Sequence, residues 1–334
     1  MFYNIDCIIG ARQYLADGSV DLIITDPPYG IAGDTLHKHY NRNENKVLDG
    51  YIEVPQGEYA GFSEDWIRQA ERVLRPGGSI YIVSGYTNLR HILNALANTT
   101  LLEMNHIIWK YNFGVYTKRK FISSHYHILY YVKPGKVPTF NTYARFSDSE
   151  KDVDGGSLNY QDREDVWIIN REYKPGEIKN KNELPLSLLM KMIQYSSNEG
   201  ELVCDFFLGS FSTAKVAIGL GRRATGFEKS PVAFAHHIDE VNSIVPCSLL
   251  NEIRIPPPNL LTRKGQPIND NERSAIIAEF EDFRKKGHGK REAIEKITKK
   301  FGRGYWSLLK IIDGTTNKSK TRVKDDLNLW SEKK

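Results

Sequence analysis

This 334-residue chain is poor in cysteine, with three, and in methionine, with four. Cys7, Cys204 and Cys247 are too few and too scattered for a disulfide framework or a zinc cluster. They read as small core or surface residues in a reducing compartment. Long apolar runs are missing too. No stretch approaches a membrane span, and the N-terminus lacks a basic segment followed by an apolar core. The expectation is a cytoplasmic protein with no membrane partner. Charge of one sign is also scarce, at a net +5, but its distribution is uneven. From Asn251 onward about 20 Lys and Arg face about 12 Asp and Glu, roughly +8, which leaves about −3 for the rest. A basic tail suits a nucleic-acid partner, although such tails also occur on proteins that bind none.

What is present is an alternation of short apolar runs with amphipathic stretches. Strands are expected at Phe2 to Ile9, Val20 to Thr25, Ser79 to Ser84, Asn105 to Lys110, His127 to Val132, Leu202 to Phe206 and Arg223 to Phe227. Helices are expected at Ala11 to Leu15, from Ser63 to Arg75, at Asn88 to Ala97, Pro185 to Tyr195, Ser212 to Leu220 and Pro231 to Asn242. Such alternation argues for a doubly wound, largely parallel sheet. Gly30 to Ala60 is polar and aperiodic, which suits a functional loop, a lid or disorder. Residues 134–183 read as an inserted small region outside the sheet. Ile255-Pro256-Pro257-Pro258 marks a linker, about 251–271, and three short helices follow within 272–334.

Two constellations carry chemistry. The first is Asp26-Pro27-Pro28-Tyr29, directly after the apolar run Leu22-Ile23-Ile24-Thr25. Two prolines end a strand and leave a carboxylate, a rigid carbonyl and a ring beyond it. In an open α/β sheet that is where ligands bind, and such a set suits a flat ligand bearing an amino group. Alone, the tetrapeptide also reads as ordinary turn punctuation. The second is Asp205-Phe206-Phe207-Leu208-Gly209-Ser210-Phe211-Ser212-Thr213, a strand end, a turn and a helix start. Its free N–H groups suit an anionic ligand group. Glu228, ending the next strand after Gly226-Phe227, stands where ribose hydroxyls are held in nucleotide-type sites. Each piece alone is also routine βα-turn chemistry. His125 and His127 share a strand face and could suggest a metal pair, but packing or phosphate contact fits better without a third ligand, so no metal is expected.

Taken in order, these motifs resemble the amino-group DNA methyltransferases that use S-adenosyl-L-methionine. The match covers about residues 1–245. Besides the two constellations it includes Asn4-Ile5-Asp6-Cys7, Arg72-Val73-Leu74-Arg75-Pro76-Gly77-Gly78-Ser79, Ile107-Ile108-Trp109-Lys110 and Asp165-Val166-Trp167. The catalytic motif precedes the cofactor motif, as in the permuted β class. The resemblance implies a Rossmann-like mixed sheet with one antiparallel strand, a catalytic domain over 1–250 and a target-recognition region within 134–183. It implies that Asp26 and the Pro27 carbonyl, on the rigid Pro28 turn, accept hydrogen bonds from the target amino group, and that Tyr29 stacks on the flipped base. Asp205, Phe207 and the turn Gly209 to Thr213 would hold the cofactor's methionine part, Glu228 its ribose, and Asp6 with Cys7 would lie near its adenine. Asp at the first catalytic position resembles the N6-adenine pattern, with N4-cytosine as the alternative. Three positions depart from the family: Phe206 for a proline, Phe211 for a glycine and Leu184 for a lysine. The Phe211 departure motivates a competing class, a non-catalytic DNA-binding regulator on this scaffold.

Residues 272–313 resemble a helix-turn-helix, although a small packing or dimerisation bundle is the alternative. Lys118, Arg119 and Lys120 in a basic loop, with Arg303 and Tyr305 in the C-terminal region, are the candidate contacts to double-stranded DNA. A cognate restriction endonuclease is a candidate partner, and monomer and homodimer both remain open.

Overall fold

The computed structural model describes residues 1–30, 54–112, 114, 116, 118–171, 183–250 and 267–316. Most of the expected loop at 30–60, most of the linker, and parts of the insert and C-terminal tail lie outside the described residues.

The strands are β1 (Phe2–Tyr3), β2 (Val20–Thr25), β3 (Leu74–Ser84), β4 (Leu102–Lys110), β5 (His125–Val132), β6 (Val166–Ile168), β7 (Leu202–Asp205) and β8 (Arg223–Phe227). They form one sheet in the order β1-β8-β7-β2-β3-β5-β4-β6. Only β5 runs antiparallel, against β3 and β4; every other pairing is parallel. The mixed, mostly parallel Rossmann-like sheet is therefore as expected. The carboxyl ends of β2, β3, β4, β6, β7 and β8 and the amino end of β5 consequently share one rim.

Alternation along β2 divides the core. Val20 and Ile23 face one side, where helices α1 (Cys7–Tyr14), α2 (Tyr59–Val73) and α3 (Leu89–Ala97) bring Ala11, Trp66, Ile67, Ala70 and Ile92. Leu22 and Ile24 face the other, covered after α4 (Leu158–Asp162) by α5 (Leu186–Ser196) and α6 (Ser212–Gly219) through Leu188, Met192, Val216 and Ala217. Each such aliphatic side chain stabilises the layers by about 1.5–3 kcal/mol when fully buried. Helix α7 (Pro231–Asn242) keeps the expected bounds, with Ser230 Oγ accepting from the Ala233 N–H and Pro231 in its first turn.

Several expectations are corrected. The first strand ends at Tyr3, because the Asp6 carboxylate accepts from the N–H groups of Ile8 and Ile9 and starts α1 four residues before the expected Ala11. Helix α2 begins a turn before Ser63, whose hydroxyl instead donates to the Tyr59 carbonyl inside the helix. Arg75 to Gly78 form an irregular stretch within β3, with Gly77 at φ +75° donating to the Lys133 carbonyl. The insert is not wholly outside the sheet: β6 pairs in parallel with β4 at its edge.

The chain divides into two compact units, residues 1–145 with 162–255, and residues 146–161 with 256–334. The second therefore combines part of the insert with helices α8 (Asp270–Lys285), α9 (Lys290–Phe301) and α10 (Tyr305–Thr316). Its core is Ile276, Ile294, Ile297, Leu308, Ile311 and Ile312. Inside this unit Arg303, only 3% exposed, pairs with Glu272 through Nε to Oε1 at 3.0 Å and a second nitrogen to Oε2 at 2.8 Å. That pairing overturns Arg303 as a DNA contact: its guanidinium is enclosed. Tyr305 is half-buried against the same core, and its N–H donates to the Val153 carbonyl at 2.7 Å, tying the insert to α10. The side chains of α10 that face outward are Trp306, Ser307 and Lys310. Removing one member of a buried ion pair costs about 3–5 kcal/mol. Arg303→Met should therefore destabilise the second unit by about that much, measured by urea unfolding with Trp306 fluorescence.

Candidate active site at the carboxyl edge of the sheet

The stop after β2 is built as the sequence implies, and its surroundings hold it rigid. Tyr59 Oη donates to the Pro28 carbonyl at 2.7 Å, and Asn88 Nδ2 donates to the Tyr29 carbonyl at 2.6 Å. Gly30 follows at φ +61°, where an added Cβ would lie 2.5 Å from the Tyr59 ring and 2.6 Å from Asn88 Nδ2. No hydrogen bond between described residues falls on the Pro27 carbonyl. Tyr29 Oη donates to Asp26 Oδ2 at 2.9 Å, while Asp26 Oδ1 is enclosed and has no hydrogen-bond partner. Two acceptors, one carboxylate oxygen and one carbonyl, are thus left over at the rim.

Burial pushes the Asp26 carboxyl up to about 8; Tyr29's hydrogen bond opposes this, the Asp205 carboxylate adds to it, and Arg171 opposes it. Asp205, at the end of β7, is likewise raised by burial to about 6 despite donors from Phe207, Thr213 and Thr25. Asp205 Oδ1 accepts from Thr25 Oγ1 at 2.9 Å and from the Phe207 N–H at 3.0 Å. The last residue of β2 and the start of the second constellation therefore share one carboxylate.

Beyond Asp205 the chain makes a double left-handed turn, Gly209 at φ +51° and Phe211 at φ +60°, and enters α6. The Phe211 N–H donates to the Leu208 carbonyl at 2.7 Å, and Leu208 N–H donates to the Phe227 carbonyl at 2.9 Å. Phe211 thus sits where glycine is favoured. Its ring is fully buried between Phe2 and Phe234, edge-on at 5.4 and 5.7 Å, which offsets the roughly 1–2 kcal/mol of left-handed strain. Glu228 Oε2 accepts from the Gly209 N–H at 2.8 Å and Oε1 from the Ser230 N–H at 2.7 Å. Ser210 and Ser212 hydroxyls lie 2.6 Å apart, and Ser212 donates to Glu183 at 3.0 Å, next to the departing Leu184. Asp6 and Cys7 stand beside this group, because β1 pairs with β8 and Asn4 Nδ2 donates to the Glu228 carbonyl at 2.7 Å. Cys7 is buried, with its thiol pushed well up by burial.

These residues fit the cofactor that the motifs imply. First-turn N–H groups of α6 have no partner within the helix, which suits a carboxylate. Glu228 retains a lone pair on each oxygen for hydroxyl donors.

Four rim residues were not foreseen as site members: Trp109 and Tyr111 at the end of β4, Tyr126 at the start of β5, and Arg171 just after β6. Tyr29 stacks on Tyr126 with centroids 5.8 Å apart, and Tyr126 on Trp109 at 5.5 Å. The signal was the placement of aromatic residues at strand ends, visible only once β5 was known to run backwards. Lys118, Arg119 and Lys120 are exposed in the loop between β4 and β5, on the same rim. His106 joins His125 and His127 on one face, with His106 Nε2 and His127 Nδ1 2.8 Å apart. Burial first, and then His106 and His125, push His127 down to about 4. Among the described residues no group of three or more His, Cys, Asp or Glu could hold a metal ion.

The N6/N4 DNA methylase family matches residues 20–238, which span both constellations. The chain belongs to this family. It is 32% identical over 227 residues to the type II methyltransferase M.HpaI of Haemophilus parainfluenzae, covering 66% of this chain and 67% of that protein. It is 31% identical over 225 residues to the DNA adenine methyltransferase YhdJ of Escherichia coli, covering 63% and 72%. In fold it is similar to PvuII DNA methyltransferase, a cytosine-N4-specific enzyme, with a TM-score of 0.55 at 16% identity, covering 75% and 90%. As a family member the chain is an S-adenosylmethionine-dependent DNA methyltransferase. No helix among the described residues is long and apolar enough to cross a membrane.

Two outcomes follow from the site's energetics. Phe211→Gly relieves the left-handed strain but deletes a buried ring worth about 3–5 kcal/mol, so a net loss of about 2 kcal/mol is expected in chemical denaturation. Asp26 is raised in the folded state from 3.8 to about 8, so folding takes up a proton across that window and stability falls as pH rises through it. Asp26→Asn should therefore melt above the wild type near pH 8, with the difference shrinking toward pH 4, in melting scans across that range.

Proposed function

We propose that this methyltransferase transfers a methyl group to the exocyclic N6 of an adenine flipped out of duplex DNA. The observation that carries the reading is the enclosed, unpartnered Asp26 Oδ1 beside the unengaged Pro27 carbonyl. An amino group has two hydrogens, and these are two acceptors. Accepting both turns the nitrogen lone pair out of conjugation with the ring and aims it, so alignment is the main contribution. S-adenosylmethionine supplies the electrophilic methyl group. The ionised carboxylate of Asp26 is the stronger acceptor, and only that form can take or relay the proton that the amino nitrogen sheds. Tyr29, fixed by Asn88 and Tyr126, offers a ring for stacking that offsets the few kcal/mol of extrusion. Asp205, Phe207, Gly209 to Thr213, and Glu228 hold the cofactor, and Asp6 with Cys7 border its adenine.

YhdJ is named an adenine enzyme, and Asp26 at the head of the motif favours that base over N4 of cytosine. The name of M.HpaI as a type II methyltransferase supports a restriction-modification setting with a cognate endonuclease. Exposed Lys118, Arg119 and Lys120 serve as phosphate contacts. In the second unit the exposed side chains of α10, Trp306, Ser307 and Lys310, replace Arg303 as candidate DNA contacts beside Tyr305.

Incubation of plasmid DNA with tritiated cofactor, followed by nucleoside analysis, should give N6-methyladenine; label in N4-methylcytosine would select the alternative, and no label with intact DNA binding the regulator. Asp26→Ala should lower the single-turnover rate roughly 100-fold or more while sparing cofactor affinity in titration calorimetry. The wild-type rate should climb with pH toward about 8 and then level, because the acceptor is the ionised carboxylate. Replacing Lys118, Arg119 and Lys120 by Gln should weaken duplex binding and flatten its salt dependence by up to about three phosphate contacts.

A further inference from the structure

Among the described residues, Arg171 is a cation placed among the rim's rings. Its guanidinium carbon lies 4.8 Å from the centre of the Tyr111 ring, 5.1 Å from Tyr126 and 5.9 Å from Trp109. The backbone leading to it is anchored at the sheet edge. Trp109 pairs with Trp167 in register, the Ile169 N–H donates to the Lys110 carbonyl at 3.1 Å, and Trp109 Nε1 donates to the Ile169 carbonyl at 2.8 Å. Arg171 therefore stands three residues past the end of an anchored strand. From there a continuous chain of contacts runs inward. Arg171 lies on Tyr126, Tyr126 stacks on Tyr29, and Tyr29 Oη donates to Asp26. Gly85, next after β3, borders this ladder, and a Cβ there would make only ordinary contact, 3.6 Å from Tyr126 and 4.0 Å from Tyr29.

Among the described residues, the groups that face Asp26 come from four places. Tyr29 is on its own turn, Asp205 ends β7, Tyr126 opens β5, and Arg171 follows β6. Burial pushes the Tyr126 phenol up, so it carries no charge near neutral pH. Asp205 is the one acid, and it opposes a charge on Asp26. Arg171 is the one cation, and it cannot lose its proton. A planar guanidinium also suits ring faces in a way an ammonium does not.

We infer that Arg171 is a positioning residue for the acceptor carboxylate: stacked on Tyr111 and Tyr126, it fixes the ring ladder that ends in Tyr29 and presents a positive charge that favours the carboxylate form of Asp26 over the neutral acid. The role rests on the methyl-transfer reading of Asp26, but its physical core concerns the free protein. It also gives the segment after β6 a function apart from reading sequence.

The test is the titration of Asp26 in the full-length protein, followed by carbon-13 NMR of labelled aspartate carboxyls and assigned with Asp26→Asn. Arg171→Met keeps bulk and removes charge; Arg171→Lys keeps charge and loses the plane. The Met variant should raise the Asp26 midpoint by roughly half a pH unit or more, below the 1–3 units of a direct contact. The Lys variant should stay closer to wild type. In single-turnover methylation the acidic limb should move upward with the midpoint, while cofactor affinity is unchanged. If Arg171→Met does not fold, Arg171→Gln carries the same comparison. An unmoved midpoint in a folded, charge-free variant overturns the role of Arg171, even with methylation intact. A moved midpoint in a wild-type chain that methylates no DNA supports the role and instead overturns the adenine reading.

Discussion

One hydrogen bond joins the two halves of this site. Thr25, the last residue of β2, is fully buried and donates its hydroxyl to Asp205, the last residue of β7. The same carboxylate oxygen accepts the Phe207 N–H that starts the turn into α6. Asp26 follows Thr25 directly, so the proposed acceptor carboxylate and the proposed cofactor turn are referenced to one buried atom. Methyl transfer demands in-line placement of two reactants, and small displacements are expensive in rate. A shared anchor between adjacent parallel strands meets that demand without a flexible intermediary.

That closeness has an electrostatic consequence. Two carboxylates sit at neighbouring strand ends, Asp205 buried and Asp26 half-buried with its Oδ1 enclosed, and both are raised. The arrangement costs stability, and it leaves one oxygen of Asp26 with nothing to bind. Natural sites tolerate such an atom when a substrate group completes it. The aromatic ladder and Arg171 stand on the opposite side from Asp205, so the acceptor lies between an anion and a cation.

The departure at Phe211 illustrates how a motif can change while its geometry survives. Glycine is favoured at positive φ because a Cβ there crowds the backbone. Here the penalty is present, at φ +60°, and the ring is buried between Phe2 and Phe234 in return. From the residue alone, strain or a different turn were equally open. Packing decides between them, since the turn still donates to Leu208 and still hands Gly209 to Glu228.

Local signals in the sequence were sufficient wherever the determinant is itself local. The apolar run before Asp26, the two prolines, Ser230-Pro231 and the order of motifs determined the strand end, the cap of α7 and the family resemblance. Alternation of strand and helix determined the layered sheet. Tertiary structure decided whatever depends on partners distant in the chain. The Asp6 cap is the exception, a local signal to N–H groups two and three residues on that a run of apolar residues masked as strand. Arg303 looked like a phosphate contact because a lone basic residue between glycines carries no sign of Glu272, 31 residues earlier. Tyr126 looked unremarkable until the antiparallel course of β5 brought it to the rim of β2, and Arg171 until β6 paired in parallel with β4. A charge or a ring has no assigned role until the fold supplies the group it faces, because electrostatic and stacking energies act through space over a few ångströms, not along the chain.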